Sequence, residues 1–213
     1  MLKGKIAFDE YIQTLENDMK NKILAFVDTE TTGLDVSPTG AEVIEFTVIL
    51  EKNGKIIDRV THKVKPSRIE LAHPKALEIN GYSEKNWENA LDKETACFII
   101  EGLLCGNKKD LVVIGHNVAF DRNGLNALLK ETGSKKYITH RVFDTQALVY
   151  EHLIDLGLKS TSLDAVREFL GWSKDKAHTA EKDTEDCRKL FHKLYQAGML
   201  KRLWWKLTLA KKK

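Results

Sequence analysis

A chain of 213 residues and 24.2 kDa can build one substantial hydrophobic core, or at most two small ones. Its 42% apolar and 31% charged residues are the balance of an ordinary soluble globular protein and exclude a disordered or fibrous one. The net charge of +3 is uneven: from Met199 onward there are six Lys/Arg and no acid, so the preceding body holds 28 basic against 31 acidic residues, a net of −3, and any nucleic-acid contact there must be local or made through metal ions.

Phe8, Tyr11, Ile12, Leu15 and Met19 recur at helical spacing and predict an amphipathic helix over the first twenty residues. "KILAFVD" predicts a short apolar strand of the kind that sits at the centre of a sheet covered on both faces. "EVIEFTVILEKNGKIIDRVTHKVKP" reads as two strands joined at Asn53-Gly54, a strong hairpin turn. Helical patterns follow over residues 83–106, then a strand "LVVIGH", a helix after Phe120 and a strand "YITHRVFD". Helices over residues 145–153, 162–170 and 180–197 complete the body. Strands interleaved with helices behind an opening hairpin predict a mixed-sheet α/β domain. With only Pro38, Pro66 and Pro74 there is no Pro-rich linker, so the expected organisation is a helical extension 1–21, one domain 22–197 and a basic tail 198–213. No apolar run reaches membrane-spanning length, "MLKGKIAFDEYIQ" lacks a signal-peptide core, and Cys97, Cys105 and Cys187 show neither metal spacing nor an even count. The expected setting is a reducing cytoplasm.

Four acids fall on faces that should turn inward. Asp28 and Glu30 in "VDTETTGLD" share one face at the C-terminal end of their strand, where ligand sites of α/β sheets gather. Alone, such a pair reads as a solvated loop; "TTGL" shifts the balance, because Gly33 lets backbone approach a ligand. Asp121 lies four residues before Leu125, on the stripe completed by Leu128 and Leu129; a surface helix cap is the other reading, but caps do not normally align with the core stripe. Asp183 shares a stripe with Cys187, Leu190, Phe191 and Leu194, whereas Glu181, Glu185 and Asp186 fall off it and are expected in solvent. Four inward carboxylates need counter-charge, and an all-oxygen ligand set suits Mg²⁺ or Mn²⁺. His178, five residues before Asp183 in the loop "SKDKAHTA", is of a type that takes a proton from an attacking water at neutral pH.

These segments, in this order, resemble the DnaQ-like exonuclease superfamily in its DEDDh branch. "DTETTGL", "HNVAFD" and "HTAEKD" resemble its three motifs, and "HPKALEINGYS" and "FDTQALVYEHL…STSLDAVREFLGW" its connectors, over roughly residues 22–197. The resemblance implies a ribonuclease H-like mixed sheet flanked by helices and 3′→5′ removal of nucleotides. It also implies two Mg²⁺ (or Mn²⁺) ions: Asp28, Glu30 and Asp183 for the first, Asp28 with Asp121 for the second, and His178 as general base. Thr31, Gly33 and Leu34 would grip the terminal nucleotide, with His116, Asn117 and Phe120 nearby. Asn80-Gly81 stands where proofreading subunits commonly carry His-Gly; Asn80 can hydrogen-bond a nucleotide but carries no charge.

The expected substrate is the 3′ end of single-stranded or frayed DNA, since "DTETTG" follows proofreading exonucleases rather than the oligoribonuclease branch. RNA 3′-end trimming is the variant within this class, and a catalytically silent nucleic-acid-binding or polymerase-scaffolding module the alternative outside it. A stand-alone enzyme and a DNA polymerase partner both stay open, and no membrane role is expected. In the tail, Leu200, Leu203, Trp204 and Leu207 form a stripe that most simply packs on the body. Trp205 and Leu209 lie beside Lys201, Arg202 and Lys206, an arrangement that also suits a nucleic-acid platform, a protein partner or a membrane surface.

Overall fold

A computed structural model of the chain describes residue 19 and residues 21–105 and 110–195. The N-terminal amphipathic helix, save Met19, and the basic tail lie outside the described residues. At the centre is a five-stranded mixed sheet in the order β3-β2-β1-β4-β5. Strand β1 (Ile23–Thr31) is the middle one, antiparallel to β2 (Val43–Lys52) and parallel to β4 (Leu111–Gly115). The hairpin forms as expected: β3 (Lys55–Lys63) returns along β2, with Asn53 and Gly54 at φ 52° and 72° in the left-handed region that two-residue turns require.

Helices cover both faces. One face of the sheet packs Ala25, Val27, Val48 and Val113 against α2 (Lys93–Leu104) and α3 (Val118–Glu131) through Ile100, Leu104, Leu125 and Leu129. The other packs Phe26, Ile49 and Ile114 against Cys187 and Phe191 of α6 (Ala180–Leu194). Behind α6, helices α4 (Thr145–Leu153) and α5 (Leu163–Leu170) bury Val149, Leu153, Val166 and Leu190 together. A short helix α1 (Pro74–Asn80) lies between β3 and α2 along the chain. The polar residues preceding the periodic stretches act as caps: Asp92, Asp144, Ser162 and Thr179 each accept a backbone N–H from the first turn that follows.

Two predicted elements differ. Helix α2 begins only at Lys93, because Trp87 is buried and donates its indole N–H to the Ile44 carbonyl at 2.8 Å, while Leu91 pairs as a bridge with Val64. That side-chain anchor holds residues 83–91 in turns. Strand β5 is three residues, Val142–Asp144, not eight. Before it, the Ile138 N–H goes to the Asn126 side chain and the Thr139 carbonyl accepts from Arg122, so a ladder cannot form there. Among the described residues no helix is long and apolar enough to cross a membrane.

Candidate active site

Alternation along β1 separates its side chains: even positions face α6 and odd positions face α3. Phe26 therefore shares a face with Asp28 and Glu30, and Asp183, in the first turn of α6, meets them there. One carboxylate oxygen from each of Asp28, Glu30 and Asp183 lies within 4.8 Å of the other two, and all three residues are half-buried. Burial raises the Asp28 carboxyl well above the usual range, and the charges of Asp121, Asp183 and Glu30 push it further. Glu30 is raised to about 8 by burial, then by Asp183, Glu45 and Asp121. Burial also raises Asp183, against the pull of Arg167. Three hard oxygen donors that resist ionising together are a set completed by a divalent cation.

Asp121 arrives from the opposite face of the sheet. Gly124 lets α3 lie close, since a Cβ there would meet Val43 at 3.2 Å. The Thr29 backbone N–H and hydroxyl both donate to Asp121 Oδ1, at 2.9 and 2.8 Å, and burial raises this carboxyl to about 7. The structure thus gathers three of the four predicted acids and fixes the fourth beside them, where its charge acts on Asp28.

His178 is exposed and backbone-strained, at φ 63°. Its N–H donates to Asp183 Oδ1 at 3.2 Å, and its Nε2 lies 3.2 Å from Asp164 Oδ2. Thr31 donates its hydroxyl to the Gly33 carbonyl at 2.7 Å, and Leu34 is 89% exposed at the loop beside the acids. Asn117, at φ 71°, is exposed just before α3, and Phe120 is half-buried in its first turn. Asn80 and His116 are placed differently from expectation. Asn80 is buried: it donates to the Thr31 carbonyl at 3.1 Å and accepts from the Tyr82 N–H at 3.2 Å, bracing the loop from within. His116 spends both ring nitrogens. Nε2 donates to the Thr161 carbonyl at 2.7 Å, so Nδ1 accepts from the Thr145 hydroxyl at 2.9 Å, and burial favours the neutral ring.

Of the acids off the stripe, Glu181 is exposed as expected, but one needs correction. Asp186 is fully buried, not solvated: Arg167 Nε and the Lys182 ammonium both hold it. Sequence reasoning missed Arg167, whose side chain is 0% exposed and which also donates to Asp164 and Asp183. It missed Glu45 as well, a fifth acid directly opposite Glu30 across the β1–β2 pair and raised chiefly by burial. A weak signal existed for Glu45, because "VIEFTVIL" places an acid inside an apolar strand. None existed for Arg167, which reads as an ordinary helix-surface residue.

A family model described as exonuclease matches residues 25–191. The PolC-type DNA polymerase III of Thermotoga maritima is 32% identical over 182 residues, which is 84% of this chain but only 12% of that protein. Ribonuclease T of Haemophilus influenzae is 28% identical over 204 residues, covering 91% of this chain and 87% of that one. Among solved structures, E. coli exonuclease I in complex with a dT13 oligonucleotide superposes with a TM-score of 0.69 at 18% identity, over 86% of this chain and 42% of that chain.

Proposed function

The chain belongs to the exonuclease family, within the DnaQ-like superfamily and its ribonuclease H-like fold, and from this we propose that it releases nucleoside monophosphates from the 3′ ends of single-stranded or frayed DNA. The observation that carries the reading is the gathering of Asp28, Glu30 and Asp183 within 4.8 Å at the end of the central strand. Nucleases of this family depend on divalent metal. Asp28, Glu30 and Asp183 would hold one Mg²⁺ or Mn²⁺, and Asp28 with Asp121 a second. When bound, such ions supply a Lewis acid that activates water and offsets charge on the phosphoryl group.

The chain's own residues do the rest. His178, tethered by its N–H to Asp183, would accept the proton of the attacking water. Thr31, Gly33 and the exposed Leu34 would hold the terminal nucleotide, with Asn117 and Phe120 at its edge. Asn80 and His116 would keep the loop and the α3 entry in place.

RNA trimming is the second reading, supported by the match over nearly the full length of ribonuclease T. The experiment is Mg²⁺-dependent mononucleotide release from labelled single-stranded DNA, a mismatched primer-template and an RNA oligonucleotide. DNA degraded faster than RNA, from the 3′ end, is the expected result; faster RNA cleavage moves the assignment to the second reading. No metal-dependent release from any substrate would overturn both. The match to one segment of a PolC-type polymerase supports a polymerase as partner, which co-elution with a replicative polymerase would test.

A further inference from the structure

Arg167 is among the largest fully buried side chains of the described residues, and its guanidinium forks across three acids. Nε donates to Asp186 Oδ2 at 2.9 Å, Nη1 to Asp164 Oδ1 at 2.8 Å and Nη2 to Asp183 Oδ1 at 2.5 Å. Asp186 is already served elsewhere, since the Lys182 ammonium reaches its two oxygens at 2.7 and 2.5 Å. One positive charge is therefore left over for Asp164, which faces His178, and for Asp183, which closes the three-carboxylate cluster.

We infer that Arg167 is a built-in counter-ion of the carboxylate cluster, competing with divalent metal for the same negative charge. Arg167 lets the acids fold together before any ion arrives, and it keeps metal affinity down afterwards. The inference rests on the metal-centre reading above. Its physical basis is that two cations serving one set of carboxylates repel each other across a site of low effective dielectric. Loss of aim is the smaller effect. Asp183 Oδ1 also accepts the His178 N–H, which stays when the guanidinium is removed.

The test is Arg167→Met in the full chain, without nucleic acid. Asp186 keeps Lys182 and the half-exposed Asp164 keeps His178, so this variant does not strand a buried charge there. The metal-free protein should melt lower than wild type, the Mn²⁺-induced rise in Tm should be larger, and calorimetric Mn²⁺ affinity should be about tenfold tighter. Arg167→Lys, which keeps the charge, should bring both readouts back towards wild type. If Arg167→Met does not fold, Arg167→Met with Asp186→Asn carries the same expectations. An equal loss of Tm with and without Mn²⁺, at unchanged or weaker affinity, would overturn the inference and leave Arg167 as packing alone. Wild-type protein that takes up no Mn²⁺ would remove the metal-centre reading and this inference with it, a result seen in the parent rather than the variant.

Discussion

Asp28 and Asp183 meet at one cluster, but the groups behind them differ. Asp28 is surrounded by acids, with Arg167 offsetting them in part, so deleting it relieves repulsion. Asp28→Ala should lower hydrolysis by more than ~10²-fold, as expected when transition-state charge stabilisation is lost. In chelator it should melt at or above the wild-type temperature. Asp183→Ala should be as inactive yet melt lower than Asp28→Ala, because it takes a partner from the buried Arg167. Thermal scans in chelator separate the two, and identical melting would refute the difference in surroundings. His178 touches this cluster through its backbone N–H, which donates to Asp183 and stays when the side chain is removed. His178→Ala should reduce kcat by ~10²–10⁴-fold, with Mn²⁺ affinity by calorimetry unchanged. A change confined to KM would recast it as a substrate-positioning residue.

The elements that aim these residues are tied together at their ends. The Asp144 carboxylate accepts the Asn117 N–H at 3.1 Å and the Val118 N–H at 3.2 Å, at the start of α3. It also accepts the Gln146 N–H at 2.8 Å, capping α4. One side chain thus serves donors at two helix N-termini that would otherwise be left without partners. Losing a single cap costs ~0.5–2 kcal/mol, so Asp144→Ala should destabilise by roughly 1–4 kcal/mol, read from the denaturant midpoint. Asp121 rides in the first turn of α3, so turnover should fall with stability. Asp144→Asn, which keeps one acceptor oxygen, should fall between. Equal midpoints for Asp144→Ala and wild type would show that water replaces these bonds without cost.

For the whole molecule, the raised carboxyls set a dependence of stability on pH when metal is withheld. Glu30 moves from 4.5 to about 8 and Asp121 from 3.8 to about 7, so the folded state holds their protons where the unfolded chain releases them. A raised carboxyl contributes stability that is complete below its unfolded value and is lost as pH rises to its folded value. The paired acids Glu42, Glu131 and Asp186 are held below their ordinary values, so their losses begin only at more acid pH. In chelator, Tm should therefore fall between about pH 5 and pH 8. Saturating Mg²⁺ should flatten that slope, because the cation replaces the protons. A chelated protein whose Tm is level across this window would mean that the acids are better solvated than their burial indicates.

Much of this protein was legible in its residues taken one stretch at a time. Alternation put Asp28 and Glu30 on one face of an apolar strand, Asn53-Gly54 fixed the hairpin, and helical periodicity turned Asp121 and Asp183 inward. These are local rules, and the local backbone obeys them. The tertiary structure alone decided which acids meet, what neutralises them and which polar groups are used up inside. Trp87 overrode a helical pattern by reaching β2, Asn80 and His116 engage their polar atoms with groups inside the fold, and Asp186 left solvent for Arg167 and Lys182. In each case at least one deciding partner lies 19 or more residues away along the chain, although Lys182 is only four residues from Asp186. Burial of a charge is set by a partner's position in space, and the periodicity of one segment carries no record of it.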